Sequence, residues 1–503
     1  MLRVHNDLTR RLEPFAPANP PEVTMYACGV TVYDACHLGH ARAYVAWDVV
    51  RRYLEHLGYQ VRHVQNFTDI DDKIIQRAAE RGEDPGTLAQ RWEQAYFADM
   101  DRLAILRATE YPRATEFVPA MVRFIEGLMA KGHAYVVADG SVYFDVASFP
   151  AYGRLSGRSA EDLGQRTRLD EPDPQKRGPA DFALWKAAKP GEPSWSSPWG
   201  EGRPGWHLEC SAMAEALLGK TIDLHVGGVD LLFPHHENEV AQSEALHDCA
   251  FVRCWLHNGF VNIAEEKMSK SLGNFRTVRD LLEVHDAQAV RFFLLQTHYR
   301  QDLSFTEEAL VGAARAMARL RRSLGVRRAA LAPVTPAVQT LQEKISRAFA
   351  EAMDDDFNTP RALAALWDAR ADLAALAGPD AAAAGHSVEL VLTLAEVLGL
   401  DLSQPQGEGD WPEAVAAAAE TLREVTPHGL SDATDTQEQL AHWLFARRQA
   451  KAAKDFALAD ALRSQLTASG FVLADRKDGS VEVALTSEPG WSWIWQPEGH
   501  PVA

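Results

Sequence analysis

The order strand, helix, strand near the N-terminus limits what this chain can become more than any other feature. EVTMYACGVTVY, residues 22–33, is rich in β-branched and aromatic residues and reads as a strand. In ARAYVAWDVVRRYLEHLGY, residues 41–59, Tyr44, Val45, Trp47, Val49, Val50, Leu54 and Leu57 recur at helical spacing, and Gly58 is a natural stop. VRHVQNF, residues 61–67, reads as a second strand. A strand, a helix and a strand in that order predict a right-handed βαβ unit in a parallel sheet, so the fold class is α/β.

The remainder is organised around that unit. At 503 residues the chain exceeds one ordinary core, and about two to four domains are expected. Residues 1–111 form the first half of the α/β domain. Residues 112–200 read as an insertion: a helix in EFVPAMVRFIEGLMAKG, a hairpin in AYVVADGSVYFDV turning at Asp139-Gly140, then the polar RLDEPDPQKRGPADF. Strand and helix patterns resume over 201–304. Residues 305–402 are Ala-, Leu- and Arg-rich with helical periodicity, which predicts a helical bundle. GLDLSQPQGEGDWP is a linker into a small last domain, so 403–503 form the final segment. No role follows for its Trp-rich end, GWSWIWQPEGHPVA.

Composition narrows the class. Neither a signal peptide nor an apolar run of about 18 residues is present, so a cytoplasmic protein with no membrane partner is expected. Five cysteines are too few for a disulfide scaffold and suggest reduced thiols or metal ligands. A net charge of −19 argues against bulk attraction to nucleic acid but leaves room for a local basic surface.

Two short motifs carry chemistry. His37-Leu38-Gly39-His40 falls where the first strand gives way to the helix, and a helix N-terminus is a ready anion site. Two imidazoles there can donate to a phosphate whose charge grows during displacement, and Gly39 lets a ligand approach closely. Downstream, KMSKS places Lys267 and Lys270 in a Ser-rich loop suited to clamping a triphosphate. In LLFPHHENEVAQ, His235 and Glu239 are four apart and would share a helix face. Spacing supplies only these two of four metal ligands, His236 competes for the role, and spacing alone reads as a surface helix.

The pairing of HxGH with KMSKS resembles the class I aminoacyl-tRNA synthetases. CGVTVYDACHLGHAR, NFTDIDDKII, AYVVADGSVYFDV, the block from PADFALW to HLECSAM, GGVDLLFPHHENEVAQSEA, MDDDFNTPRAL and KDFALADALRSQL narrow the resemblance to the cysteinyl-tRNA synthetase family. Leu38 stands where the family's HIGH motif usually carries isoleucine. The resemblance implies a Rossmann-like catalytic domain with an inserted connective segment, followed by a helical bundle and a small C-terminal anticodon-binding domain. It implies ATP-dependent activation of L-cysteine and transfer to tRNA(Cys), by a monomer. A zinc ion would be held by Cys28, Cys210, His235 and Glu239, and Mg²⁺ would accompany ATP. His37, His40, Lys267 and Lys270 would act on the phosphates. Gly39, Gly228 and Asp230 would frame the adenosine, and Gly29, Thr68 and Trp206 the cysteine. Cys36, Cys249 and Cys254 are expected to be partly buried, with no assigned chemistry.

For tRNA the sequence offers Arg315, Arg319, Arg321, Arg322, Arg327 and Arg328 in the bundle, and Arg447, Arg448, Lys451 and Lys454 near the end. Two other readings are distinguishable. A cysteine:amino-sugar ligase of mycothiol synthesis would be shorter, without the last domain. A non-catalytic zinc- or tRNA-binding relative would have lost the histidines or lysines, and both sets are intact.

Overall fold

The computed structural model describes residues 1–158, 175–263, 266–267, 276–325, 332–403, 418, 436–475, 481–486 and 492–495. They form two compact units. The first comprises Met1–Phe305, Ser346–Ala365 and Glu396–Leu400, and the second Thr306–Ile345, Leu366–Ala395 and Asp401–Ala503.

In the first unit, β1 (Glu22–Ala27), α1 (Leu38–His56) and β2 (Gln60–Gln65) form the expected βαβ unit, with β1 and β2 parallel from Glu22↔Gln60 to Ala27↔Gln65. Beyond the insertion come α2 (Trp206–Leu218), β3 (Ile222–Gly228), α3 (Glu237–His247) and β4 (Val252–Asn258). The sheet is parallel throughout in the order β4-β3-β1-β2. The central strands β3 and β1 are largely buried, as parallel sheets require, while the outer strands β2 and β4 expose Gln60, Arg62 and Arg253 near their starts. β1 stops at Ala27, short of the expected Tyr33. The Gly29 N–H turns to the Asn66 side chain at 2.9 Å, and the regular ladder ends there.

The inserted segment carries an antiparallel sheet of Ala134–Val136, Val142–Phe144, Phe182–Ala187 and Gly202–Pro204, with the hairpin where the sequence places it. The helix Val118–Ala130 packs Met121, Phe124, Ile125 and Leu128 against Phe144, Leu184 and Trp185. Residues 346–365 belong to the first unit although they lie within the stretch expected to be a separate bundle. Asp356 explains part of this, accepting from His5 N–H, the Tyr299 hydroxyl and Arg300.

Behind α1, Asp48 and Arg291 form a fully buried ion pair. Asp48 also accepts from Arg52 at 2.7 Å and Leu106 N–H at 2.8 Å, while Arg291 donates to the carbonyls of Leu398 and Leu103. Burial opposes the Asp48 charge, but Arg291 and Arg52 hold its carboxyl below the ordinary value. Stability from this group is complete above about pH 4 and is lost as pH falls through the depressed folded value. Arg291→Met leaves the buried carboxylate to Arg52 and Leu106 N–H and removes the donor to two buried carbonyls, and chemical denaturation is expected to show a loss of about 3 kcal/mol.

The second unit contains the helix over Glu307–Gly325 and portions of those over Pro336–Met353, Thr359–Ala375 and Gly385–Val397. Further on, Thr436–Ala452 and Phe456–Ala468 pack on an antiparallel sheet of Phe471–Asp475, Val481–Leu485 and Ser492–Trp495. Trp443, Leu444, Leu462, Leu466, Phe471 and Val483 form its core. The Trp-rich end thus contributes a strand, with Trp493 opposite Val483 and Trp495 opposite Val481. No helix among the described residues is long and apolar enough to cross a membrane.

Candidate active site and metal centre

The carboxyl ends of β1, β3 and β4 open into one cavity, the position where parallel α/β sheets bind ligands. Cys28 and Gly29 line it after β1, His37, Gly39 and His40 at the start of α1, Trp206 at the start of α2, and Gly228 and Asp230 after β3. Of the residues expected around the cysteine, Gly29 and Trp206 face this space. Thr68 is buried and gives its hydroxyl hydrogen to Glu209 at 2.8 Å. Gly29 cannot carry a side chain, because a Cβ would fall 1.5 Å from the Asn66 carbonyl oxygen.

His37 caps α1, and His40 is the third residue of that helix. The backbone N–H of each donates to the other's Nδ1, at 3.2 and 3.3 Å, and the rings stack with centroids 3.7 Å apart. An Nδ1 that accepts cannot carry the proton of a neutral imidazole, so each ring bears it on Nε2. The capping box therefore fixes two parallel imidazoles as donors where the helix dipole is positive.

Described residues on either side of the KMSKS stretch pair with this part of the chain. Lys267 ends a short strand whose backbone pairs with Asn262, and after the loop Leu38 N–H donates to the Arg276 carbonyl and Val278 N–H to that of Cys36. The Lys267 side chain and all of Lys270 lie outside the described residues.

The metal candidates converge below the cavity. Cys28 Sγ lies 3.7 Å from Cys210 Sγ and 3.6 Å from Glu239 Oε1, and His235 Nε2 lies 3.0 Å from the same oxygen. All four residues are buried, with ligand atoms mutually within 4.8 Å. A second quartet overlaps it, formed by Cys28, His225, His236 and Glu239. His225 Nε2 is 2.8 Å from Glu239 Oε2. His236 Nε2 is 3.2 Å from Cys28 Sγ, with its Nδ1 on His257, which in turn meets Asp7. The arrangement could hold a metal ion.

Burial opposes every charge here, and the neighbours decide which survive. His225 and His235 hold the Glu239 carboxyl down at about 2, while Glu239 and Cys210 lift His235 to about 10. The hydrogen bond with Cys28 brings the Cys210 thiol down to about 7, whereas burial pushes Cys28 well up.

Helix α3 is not the surface helix that spacing suggests. Its residues from Glu237 to Ser243 are all buried. Glu237 pairs with Gly153 and Ser156 N–H, Asn238 with Tyr152, and the Gln242 amide nitrogen with the His207 carbonyl and Ser211, while Gln242 Oε1 and Ser243 Oγ are buried with no hydrogen-bond partner among the described residues. His207 Nδ1 meets His235 Nδ1 at 2.9 Å, and Trp206 stacks on the His235 ring at 4.4 Å. Sequence reasoning assigned no part to His207, His225, His257 or Asn66.

The comparisons with known proteins agree with this geometry. Residues 14–315 match the class I (C) tRNA synthetase catalytic domain and residues 348–403 the DALR domain. Cysteine–tRNA ligases of Thermosynechococcus vestitus and Halorhodospira halophila are 48% and 49% identical to it, each over 95% of this chain and 98% and 99% of the relative. The chain belongs to the cysteine–tRNA ligase family. Among solved structures, Mycobacterium tuberculosis methionyl-tRNA synthetase with methionyl-adenylate superposes with a TM-score of 0.55 at 18% identity, covering 84% of this chain and 94% of that one. An Agrobacterium radiobacter LeuRS–tRNA complex reaches 0.56 at 13% identity, covering 78% and 88%. Both show a shared fold. In this member of the cysteine–tRNA ligase family, Cys36 is buried, Cys254 half-buried and Cys249 exposed, the last against expectation.

Proposed function

We propose that the chain activates L-cysteine with ATP and passes the cysteinyl group to the terminal adenosine of tRNA(Cys). One observation carries this reading: Cys28, a member of a thiol-containing ligand quartet, lines the same cavity as a capped histidine pair. In the first step a cysteine carboxylate oxygen attacks the α-phosphorus and pyrophosphate leaves. His37 and His40 donate Nε2–H to the phosphate oxygens as charge builds, and Lys267 and Lys270 draw on the departing pyrophosphate. Gly39, Gly228 and Asp230 seat the adenosine, with Asp230 accepting from a ribose hydroxyl, and Mg²⁺ enters with ATP. Gly29, Trp206 and, from its buried position, Thr68 shape the cysteine site.

Cys28, Cys210, His235 and Glu239 fit zinc. A tetrahedral ion with sulfur at about 2.3 Å sets two sulfurs about 3.8 Å apart, close to the 3.7 Å between Cys28 and Cys210. Zinc bound there supplies a soft acceptor that takes a thiolate far better than a hydroxyl, separating cysteine from serine without editing. His207, by its contact with His235, fixes that ring's orientation, and His225 does the same for Glu239.

For tRNA, Arg315, Arg319 and Arg448 are exposed, as is Lys454. Arg447 and Lys451 are instead committed to Asp475 at 2.7 and 2.8 Å, and Arg321 donates to the Asp401 carbonyl. The Arg322 side chain, Arg327 and Arg328 lie outside the described residues. The amino-sugar ligase reading finds no support, since the match to cysteine–tRNA ligases covers 95% of the chain.

The test is cysteine-dependent ATP–pyrophosphate exchange followed by charging of tRNA(Cys). Both are expected. Exchange without charging removes the tRNA assignment, and absence of exchange removes the enzyme assignment.

A further inference from the structure

The cavity has a side that activation does not use. Its cysteine end is Cys28, Gly29 and Trp206, and its ATP end is His37, His40 and Asp230. Tyr33 and Lys73 line the same space and belong to neither group. Tyr33 lies in the loop between β1 and α1, and Lys73 sits in the first turn of the helix Asp72–Arg81. The Lys73 ammonium is 5.6 Å from the Tyr33 ring centroid.

Among the described residues, the acids nearest Lys73 in sequence are taken up by other partners. Asp34 pairs with Arg77 at 3.3 Å, Asp72 with Lys186 and Arg203, and the Asp71 carboxylate caps the Lys73 backbone N–H. Lys73 is exposed and makes no ion pair among the described residues. An aromatic ring beside an uncommitted ammonium suits one ligand class, a ribonucleotide, whose base stacks while its phosphate pairs with the cation. Aminoacyl transfer requires such a group to enter while the adenylate still fills the other two ends.

We propose that Tyr33 and Lys73 form the subsite for the 3′-terminal nucleotide of the tRNA, with the ring under the base and the ammonium on the phosphodiester that precedes it. This rests on the ligase reading above. It predicts that the pair matters to the second half-reaction and not to the first.

The experiment separates the two steps in the full-length protein. ATP–pyrophosphate exchange reports adenylate formation. Single-turnover mixing of preformed enzyme–cysteinyl-adenylate with tRNA(Cys) reports transfer. Lys73→Ala and Tyr33→Leu are expected to leave exchange within about twofold and to slow transfer by about tenfold or more. Lys73→Arg and Tyr33→Phe should restore most of the transfer rate, since they keep the charge and the ring. Equal falls in exchange and transfer would assign the pair to ATP or cysteine and overturn the subsite. Unchanged transfer would overturn it as well. A wild-type protein that exchanges but charges no tRNA overturns the ligase reading and the subsite with it.

Discussion

Cys210→Ser is expected to purify with little bound zinc and to need about a hundredfold more cysteine for half-maximal exchange, with the requirement for ATP unchanged. The reasoning starts from the donor atoms. Cys210 supplies one of the quartet's two sulfurs, 3.7 Å from the other. A serine oxygen is harder, remains protonated at neutral pH and cannot reach the same position, so only three of the four protein ligands remain. The ATP requirement is expected to hold because none of the residues proposed to contact ATP is a member of the quartet. Metal analysis after gel filtration and exchange kinetics in each substrate check both halves. If the variant retained one zinc per chain, the ion would have to sit in the overlapping quartet of Cys28, His225, His236 and Glu239. His236→Asn would then abolish metal binding, and the ligand assignment proposed here would be wrong.

That overlap also shows where sequence reasoning runs out. The βαβ unit was legible because it is local: an apolar stripe at helical spacing, a stop at Gly58 and two β-rich flanks suffice. The hairpin at Asp139-Gly140 was legible for the same reason. Helix α3 was not, since a polar helix reads as solvent-exposed unless its partners are known. Those partners, Tyr152, Gly153, Ser156 and Ser211, come from elements far away in the chain. The quartet could be named only through family resemblance, because Cys28 and Cys210 are separated by 182 positions and no spacing rule spans that. The supporting histidines left a faint trace. The 51 residues from His207 to His257 hold six of the chain's 18 histidines, a density that a scan for ligand-rich segments would detect. Asn66, which positions Gly29 through one hydrogen bond, left none.

The second large effect divides the loop between β1 and α1 into its two devices. His40→Ala is expected to retain full zinc content and lose about 10²–10³-fold in the rate of exchange. His40 is a member of neither ligand quartet. Its Nδ1 accepts from His37 N–H, its own N–H donates to His37 Nδ1, and its ring stacks on that of His37. Removing the imidazole therefore deletes one donor to the α-phosphate and loosens the other, whose tautomer and orientation depend on the reciprocal cap. The helix itself loses only the cap contribution, about 1 kcal/mol, which is too small to unfold the unit and can be read from a thermal melt. His40→Asn keeps an N–H donor at a similar reach and should recover part of the rate. The effect should appear in kcat with little change in KM for either substrate, because the donated hydrogen bonds strengthen only as phosphate charge develops. A rise in KM for ATP without a fall in kcat would instead make His40 a ground-state contact. Loss of the metal would join the two devices into one, and the short span from Cys28 to His40 would no longer mark the place where two separately held substrates meet.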